Sequence, residues 1–156
     1  MVMMSSIMFG AMAAKRISDK TSRLHSIELL LCEIETQIKF CAKSLPQIFE
    51  MLKTQNRFDN LHFLELLDLQ SDCFSDSLKL SVINDFYLTD SEKKPILSLA
   101  DSLGSTDIEG QAAAINIAKS SISSQYIYEK EQSIQKKRLY LSMGVLVGAA
   151  LAVLLI

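Results

Sequence analysis

The placement of charged side chains divides this chain into three parts. All 16 basic and 18 acidic residues lie between Lys15 and Arg138, so residues 1–14 and 139–156 carry no charge. An apolar end without charges favours an environment other than water, whereas the central part mixes polar and apolar residues as a folded domain does. We therefore predict an N-terminal hydrophobic segment at 1–14, a helical domain at 15–138 and a separate C-terminal segment at 139–156.

The C-terminal segment has the length and composition of a membrane helix. It reads LYLSMGVLVGAALAVLLI, and as a helix it spans about 27 Å, close to the hydrocarbon core of about 30 Å. A buried soluble helix fits poorly, because neither face of the segment is polar. We predict a transmembrane helix at 139–156, in which Gly144 and Gly148 form a G-x-x-x-G face for close packing on another membrane helix.

Basic residues directly follow the uncharged N-terminal segment and directly precede the uncharged C-terminal segment. They are Lys15, Arg16, Lys136, Lys137 and Arg138. Because basic residues that flank membrane segments prefer the cytoplasmic side, both groups are expected to face the same compartment. This places the domain at 15–138 in the cytoplasm of a membrane-bound protein.

The N-terminal segment is a weaker membrane candidate than the C-terminal one. Its 14 residues reach only about 21 Å as a helix. Its charges follow the apolar run instead of preceding it, which disfavours a secretory signal peptide. Three interpretations stay open: a truncated membrane anchor, a helix that lies in the interface, and a chain whose true start lies upstream.

A heptad pattern predicts the first helix of the domain. Apolar residues recur in alternating steps of three and four over three repeats, which is the spacing of a seam that packs on another helix. We favour packing inside the domain over packing on a partner. The seam consists of Leu24, Ile27, Leu31, Ile34, Ile38, Cys41 and Leu45.

A second long helix is predicted from about residue 61 to residue 80. Asp68, Asp72 and Asp76 recur every four residues on its polar side. Such a row is typical of a solvated face, with a docking surface for a basic partner as the alternative. Only residues 80–88 have a local β-like composition, and this stretch is too short and isolated to found a sheet.

Residues 89–111 carry signals for the start and the end of helices. Thr89 with Glu92 and Thr106 with Glu109 have capping-box spacing, although Pro95 favours a regular start nearer Ser91. The structural turn between the two helices is predicted to comprise Leu103, Gly104, Asp107, Gly110 and Gln111. In this turn the first glycine stops one helix, the aspartate lies near the start of the next, and the glutamine bonds across.

No proline or glycine interrupts residues 111–143, so one continuous helix is predicted to lead from the domain into the membrane. The predicted fold class is therefore all-α. It is a helical bundle with long antiparallel helices, flanked by the C-terminal transmembrane helix and the short N-terminal hydrophobic segment.

The sequence lacks the motifs of the common catalytic sites. The five glycines form no phosphate-binding loop, and a nucleophile elbow and an H-E-x-x-H pair are missing. Cys32, Cys41 and Cys73 lack zinc-ligand spacing, and we expect them to be small core residues. The net charge of −2 and the dispersed basic residues disfavour nucleic acid. We predict no catalytic residue, cofactor, metal or small-molecule substrate, and a membrane-tethered interaction module.

Four stretches together resemble the stage III sporulation protein AB family of endospore-forming bacteria. Residues 14–19 are similar to its basic pair and polar run after a hydrophobic start, and residues 37–45 are similar to a helical pattern in which its Glu, Tyr and Pro are replaced here. Residues 103–111 resemble its Leu-Gly-x-x-Asp-x-x-x-Gln turn, and residues 143–148 resemble its terminal membrane helix. The resemblance extends over nearly the whole chain in order and spacing.

The resemblance implies a helical domain similar to the cytoplasmic domains of the type II secretion F platform proteins. It also implies a non-enzymatic, membrane-anchored platform or adaptor in a secretion-like sporulation channel between mother cell and forespore, located in the mother-cell membrane. The partners implied are a cytoplasmic secretion-type ATPase and other membrane channel components. The alternative function is a membrane-tethered helical signalling or sensor module.

Overall fold

Helices account for the regular structure of the chain. The computed structural model describes the backbone of residues 2–41 and 43–154 and the side chains of residues 18–41 and 43–135. The helices are α1 (Val2–Phe40), α2 (Leu45–Lys53), α3 (His62–Leu66), α4 (Phe74–Asn84), α5 (Asp90–Ser102) and α6 (Ile108–Leu154), with a 3₁₀ turn at Asn56–Phe58. Within the described backbone no strand occurs, and the predicted all-α fold class is confirmed.

The chain forms two compact units. One is Ser22–Gln125, and the other combines Met1–Thr21 with Tyr126–Ile156. The first unit is narrower than the predicted range of 15–138 and contains α2 to α5 with the adjoining parts of α1 and α6. In the second unit, Lys20 Nζ lies 2.5 Å from Glu129 Oε1 and joins α1 to α6.

The predicted membrane segments lie outside the residues whose side chains are described. The backbone of α6 is helical as far as Leu154, and that of α1 is helical from Val2. Among the residues that were described in full, no helix combines the length and hydropathy needed to cross a bilayer.

The predicted heptad seam forms the core side of α1. Leu24, Ile27, Leu31 and Ile34 are at most 2% exposed. Three of them share a void of only about 10 Å³ with Phe49 of α2, Phe63 of α3, Leu78 of α4 and two residues of α5, Ile96 and Leu99. The void is barely the size of one water probe, so the seam packs tightly inside the unit.

The seam stops earlier than predicted. Helix α1 ends at Phe40, and Cys41 beyond it is exposed together with Cys32 and Cys73. The expectation that the three cysteines are core residues is therefore wrong. Pro46 at the first turn of α2 fits the change of direction here, because a proline lacks only an N–H that would be unpaired at that position.

The single helix predicted at 61–80 is also wrong. The structure has two helices there, α3 and α4, separated by residues 67–73. Local polar bonds replace helical ones: the Gln70 N–H donates to the Asp68 carboxylate over 2.9 Å, and the Ser77 hydroxyl donates to the Asp68 carbonyl over 2.7 Å. These bonds satisfy backbone groups without a helix, which is how aspartate and serine compete with helical pairing. The three aspartates are exposed but do not form a row along one helix.

Helix α5 begins at Asp90, with Thr89 as its N-cap and Glu92 completing the capping box. The start expected nearer Ser91 is therefore wrong, and Pro95 lies inside the helix. A proline cannot donate to the carbonyl four residues earlier, which here belongs to Ser91. Gln125 Nε2 of α6 donates to that carbonyl over 2.9 Å, so a side chain from another helix replaces the missing backbone bond.

Two sets of polar contacts show that α1 and α6 run antiparallel within Ser22–Gln125. At one end, Arg23 and Gln125 both bind the first turn of α5. Farther along α1, Glu35 binds Asn116 and Lys119 of α6. The residue number rises along α1 while it falls along α6, as predicted for the long helices of the bundle.

Glu92 is a fully buried carboxylate that joins α1 to α5. Its oxygens accept bonds from Arg23 Nε and Nη2, each over 3.2 Å. They also accept the Thr89 N–H over 2.7 Å and the Thr89 hydroxyl over 2.6 Å. A buried charge is tolerated when it is paired and hydrogen-bonded, and here the same group caps α5 and fixes its position on α1.

The buried pair generates a prediction about stability. We expect Arg23→Met to lower the free energy of unfolding by about 3 kcal/mol, because it leaves the Glu92 charge buried without its partner. Adding Glu92→Gln should recover about 2 kcal/mol of this loss, since glutamine keeps the capping box and removes the charge. Urea-induced unfolding followed by circular dichroism measures both values.

Arg57→Met is the matched control, because Arg57 pairs with Glu33 at the surface. Its cost should be at most about 1 kcal/mol. Equal stability of the Arg23→Met single and double variants would contradict the role of the buried charge.

Candidate functional site

The predicted structural turn connects α5 to α6. Leu103 is buried at the C-cap of α5, and Gly104 follows it with a φ of 79°. This is the left-handed backbone conformation that commonly ends helices and that residues with a Cβ rarely adopt. A Cβ at Gly104 would lie 3.7 Å from Leu45 Cδ1, so strain and not space makes glycine suitable here.

The cap of α6 differs from the predicted capping box of Thr106 and Glu109. Helix α6 begins at Ile108, so Asp107 is the cap, and its Oδ1 accepts the Gly110 N–H over 3.0 Å. The Thr106 hydroxyl instead bonds to the Ser102 carbonyl. An aspartate accepts bonds from first-turn N–H groups and complements the helix dipole, which explains why it takes the position.

Gly110 and Gln111 complete this turn. A Cβ at Gly110 would lie 2.8 Å from Asp107 Oδ1, so a larger residue would collide with the capping carboxylate. Gln111 Nε2 donates to the Thr106 carbonyl over 2.9 Å and bonds across the turn. The structure thus brings Leu103, Gly104, Asp107, Gly110 and Gln111 together, and every contact described for them fixes the connection between two helices.

A second polar cluster joins α1 to α6 around Glu35. Its carboxylate accepts bonds from Lys39 Nζ over 2.7 Å, Lys119 Nζ over 2.9 Å and Asn116 Nδ2 over 3.1 Å. The bond from Lys39 and then that from Lys119 lower the pKa of Glu35 from 4.5 to about 2. The bond between Lys119 and Glu35 also raises the pKa of Lys119. This cluster holds the two helices together electrostatically.

The remaining predicted site residues cannot be placed by their side chains. Lys15, Arg16, Lys136, Lys137 and Arg138 lie outside the described side chains, and so do Gly144 and Gly148. For residues with described side chains, no group of three His, Cys, Asp or Glu is arranged to hold a metal ion.

An exposed apolar surface, which sequence reasoning missed, lies on α3, α4 and the turn after α4. We call it the apolar patch; it consists of Leu66, Leu80, Ile83, Phe86 and Tyr87. All five are more than half exposed, and Phe86 is 97% exposed. Exposed apolar side chains grouped on adjacent elements are typical of interaction sites.

The residues of the patch lie on adjacent elements. Leu66 and Leu80 line one groove, and Ile83 follows Leu80 on the same face of α4, three residues on. The ring of Tyr87 lies 4.4 Å from that of His62, which precedes Leu66 by one turn of α3. Tyr87 therefore lies against α3, while Leu80 and Ile83 carry exposed apolar surface along α4.

Asp85 holds the two ends of the patch in place. It is 2% exposed, and its carboxylate accepts the Phe63 N–H over 2.9 Å and the Tyr87 N–H over 2.8 Å. One buried side chain thus binds the first turn of α3 and the bend that presents Phe86. The signal in the sequence is the dipeptide Asn84-Asp85 before two aromatic residues, since such residues favour turns over the continuing strand or helix.

The fold and this surface define an all-α helical module with an exposed apolar surface. The sequence profile described as Stage III sporulation protein AB matches residues 1–156. The chain belongs to the stage III sporulation protein AB family, as its sequence resemblance predicted, and membership implies a role in sporulation.

Comparison with solved structures agrees on the fold. A structure titled Stage III sporulation protein AB is similar with a TM-score of 0.59 and 18% identity, over 74% of this chain and 97% of that chain. At this identity the likeness supports the helical fold alone. No curated protein sequence matches the chain.

The left-handed glycine generates a prediction. We expect Gly104→Ala to lower the free energy of unfolding by about 1 kcal/mol, because alanine is strained at a positive φ. Gly104→Asn is the matched control and should cost less, since asparagine tolerates this conformation. Thermal unfolding of the three proteins measures the difference, and an alanine variant as stable as the asparagine variant would contradict it.

Glu35 generates a prediction about pH. Because its pKa in the folded state is about 2 and its ordinary value is 4.5, its contribution is fully present above about pH 4.5 and is lost as the pH falls toward 2. We expect Glu35→Gln to cost about 1 kcal/mol at neutral pH, the upper end of the range for pairs that water still reaches, and less as the pH falls through this window.

Urea unfolding across the pH range tests the Glu35 prediction. Thr36→Val, at an exposed neighbouring position, has no group that titrates, so its cost should not change with pH. A Glu35→Gln cost that is constant between pH 7 and pH 2 would refute the assignment.

Proposed function

We propose that this chain is a non-enzymatic, membrane-anchored platform or adaptor in a secretion-like sporulation channel between mother cell and forespore. The observation that carries the proposal is the apolar patch, which a folded helical unit presents to solvent on α3 and α4. Membership of the stage III sporulation protein AB family supports the sporulation context, and that family is not known as a family of enzymes.

Membrane attachment is supported by the sequence of residues 139–156, which is uncharged and long enough to cross a bilayer as a helix. The basic residues 136–138 precede it and favour a cytoplasmic position for the bundle. In this proposal the protein resides in the mother-cell membrane, with Ser22–Gln125 in the cytoplasm.

The proposed partners are a cytoplasmic secretion-type ATPase and other membrane channel components, and neither nucleic acid nor a small-molecule substrate is involved. An adaptor needs one surface for each partner. The apolar patch serves a cytoplasmic partner, and the Gly144 and Gly148 face serves a second membrane helix.

A membrane-tethered signalling or sensor module is the second candidate. The continuous helix α6, Ile108–Leu154, favours it, because an uninterrupted helix can relay a displacement along its length. The two functions differ in their complexes. The adaptor requires stable co-purification with an ATPase or channel component, whereas the sensor does not.

Deletion of the gene in a spore-forming host tests the proposed function. We expect heat-resistant spores to be lost and to be restored by the full chain. A chain that ends at residue 138 should fail to restore them, because it lacks the proposed anchor. Normal sporulation in the deletion strain would refute the proposal.

A matched control separates anchoring from helix packing. Gly144→Leu with Gly148→Leu keeps the segment apolar and blocks close approach, so membrane attachment should persist while spore formation falls.

The exposed Cys73 provides a topology test: a membrane-impermeant maleimide should label it only after permeabilisation. Labelling in intact cells would overturn the cytoplasmic placement.

A further inference from the structure

We propose that the apolar patch binds a basic amphipathic helix of a partner protein, which lies in the groove between α3 and α4. The inference rests on the proposed adaptor function and specifies the chemistry of its cytoplasmic partner. Three features carry it: an open groove bordered by apolar side chains, an excess of exposed carboxylates around the groove, and a buried side chain that fixes the bend beside it.

The groove is open and carries both apolar and acidic side chains, as the binding of a basic amphipathic helix requires. It encloses about 280 Å³. Leu66 of α3 and Leu80 of α4 are its apolar lining residues, and its other lining residues are polar. Ile83 and Phe86 extend the apolar surface past the end of α4. A bound helix places anchors three, four and seven residues apart along such a surface, and exposed aromatic rings commonly supply much of the binding energy.

The surroundings of the groove select a basic partner. Between residues 62 and 90 the chain has one lysine, Lys79, against six carboxylates: Glu65, Asp68, Asp72, Asp76, Asp85 and Asp90. All of these except Asp85 are exposed, and Asp68 and Asp76 line the groove itself. Exposed carboxylates beside apolar anchors attract lysine and arginine and repel acidic surfaces.

Three lysines lie near the patch, and the Nζ of one of them, Lys53, donates to the Leu67 carbonyl over 2.7 Å. Lys79 Nζ lies 2.5 Å from Asp101 Oδ1 and 3.8 Å from Asp76 Oδ1. Lys93 Nζ donates to the Ile83 carbonyl over 2.8 Å. Five exposed carboxylates therefore outnumber three lysines, and this acidic excess disfavours both an anionic lipid surface and the same patch of a second copy as occupants.

The shape of the patch is set before binding. The Asp85 carboxylate holds the Phe63 and Tyr87 N–H groups, so the bend that carries Phe86 is fixed relative to α3. A surface ordered in advance loses less conformational entropy when a partner binds. This favours recognition of one defined helical face.

A designed peptide tests the proposal on the full-length chain in nanodiscs of zwitterionic lipid. The probe is a fluorescent peptide of about 18 residues, five helical turns, with a leucine stripe and flanking lysines. One control peptide replaces the lysines by glutamates, and another replaces the leucines by glutamines. Fluorescence anisotropy gives each Kd, with empty nanodiscs as the blank.

We expect the lysine peptide to bind at least about tenfold more tightly than either control. Phe86→Ser and Leu80→Ser should each weaken binding by about tenfold or more. Ile117→Ser on α6 is the matched control, because Ile117 is an equally apolar, 72% exposed residue outside the patch, and it should leave the Kd unchanged.

Charge reversal tests the electrostatic part separately. Glu65 and Asp76 side chains are 73% and 68% exposed, so Glu65→Lys with Asp76→Lys should leave the fold intact, which circular dichroism checks. This variant should lose the lysine peptide and bind the glutamate peptide. Unchanged preference, or equal affinity of the wild type for all three peptides, would overturn the proposal.

Photocrosslinking in sporulating cells identifies the natural occupant. A benzophenone amino acid at position 86 should crosslink to a helical protein segment that is basic and amphipathic, and one at position 117 should not. Crosslinks to lipid, to a second copy or to an acidic segment, or none above the position 117 control, would overturn the inference. Failure here with spore loss in the deletion strain would refute this surface alone, whereas normal sporulation would refute the proposed function.

Discussion

The buried carboxylate of Glu92 is the interaction on which the arrangement of the bundle depends. A charge without solvent access is destabilising unless its oxygens are fully engaged, and here one group satisfies both the first turn of α5 and the guanidinium of Arg23. Moving α5 along or around α1 would separate the pair. The apolar seam of α1 provides most of the buried surface, but an apolar seam tolerates small displacements that a paired charge does not.

In Ser22–Gln125, apolar packing stabilises the unit and polar contacts align its helices. Leucine, isoleucine and phenylalanine side chains of α1 to α5 meet in the interior with hardly any free volume. Glu92 joins α1 to the first turn of α5, where Gln125 of α6 also binds, and Glu35 joins α1 directly to α6 farther along the pair. The two carboxylates thus define the alignment of helices whose stability comes mainly from the hydrophobic effect.

The sequence predicted the long elements better than the short ones. A heptad pattern over Leu24 to Ile38 is a repeated signal, and each repeat strengthens the same assignment. The break between α3 and α4 depends instead on single bonds, such as that of Ser77 to Asp68, which no periodicity reveals. The predicted cap of α6, Thr106, is wrong for a similar reason. Thr106 and Asp107 are both good caps, and only the three-dimensional turn selects Asp107. The apolar patch could not be foreseen either, since an apolar residue in a helical pattern does not show whether another element covers it.

Pro95 gives the α5 to α6 contact a directional character. The Ser91 carbonyl lacks its usual partner because of the proline, and Gln125 supplies the only replacement among the described contacts. Rotating α6 by one residue, about 100°, would carry the amide away from this carbonyl. The angular setting of α6 at Gln125 is therefore coupled to the first turn of α5, so that a torque applied to this helix would be felt at the turn that holds Arg23.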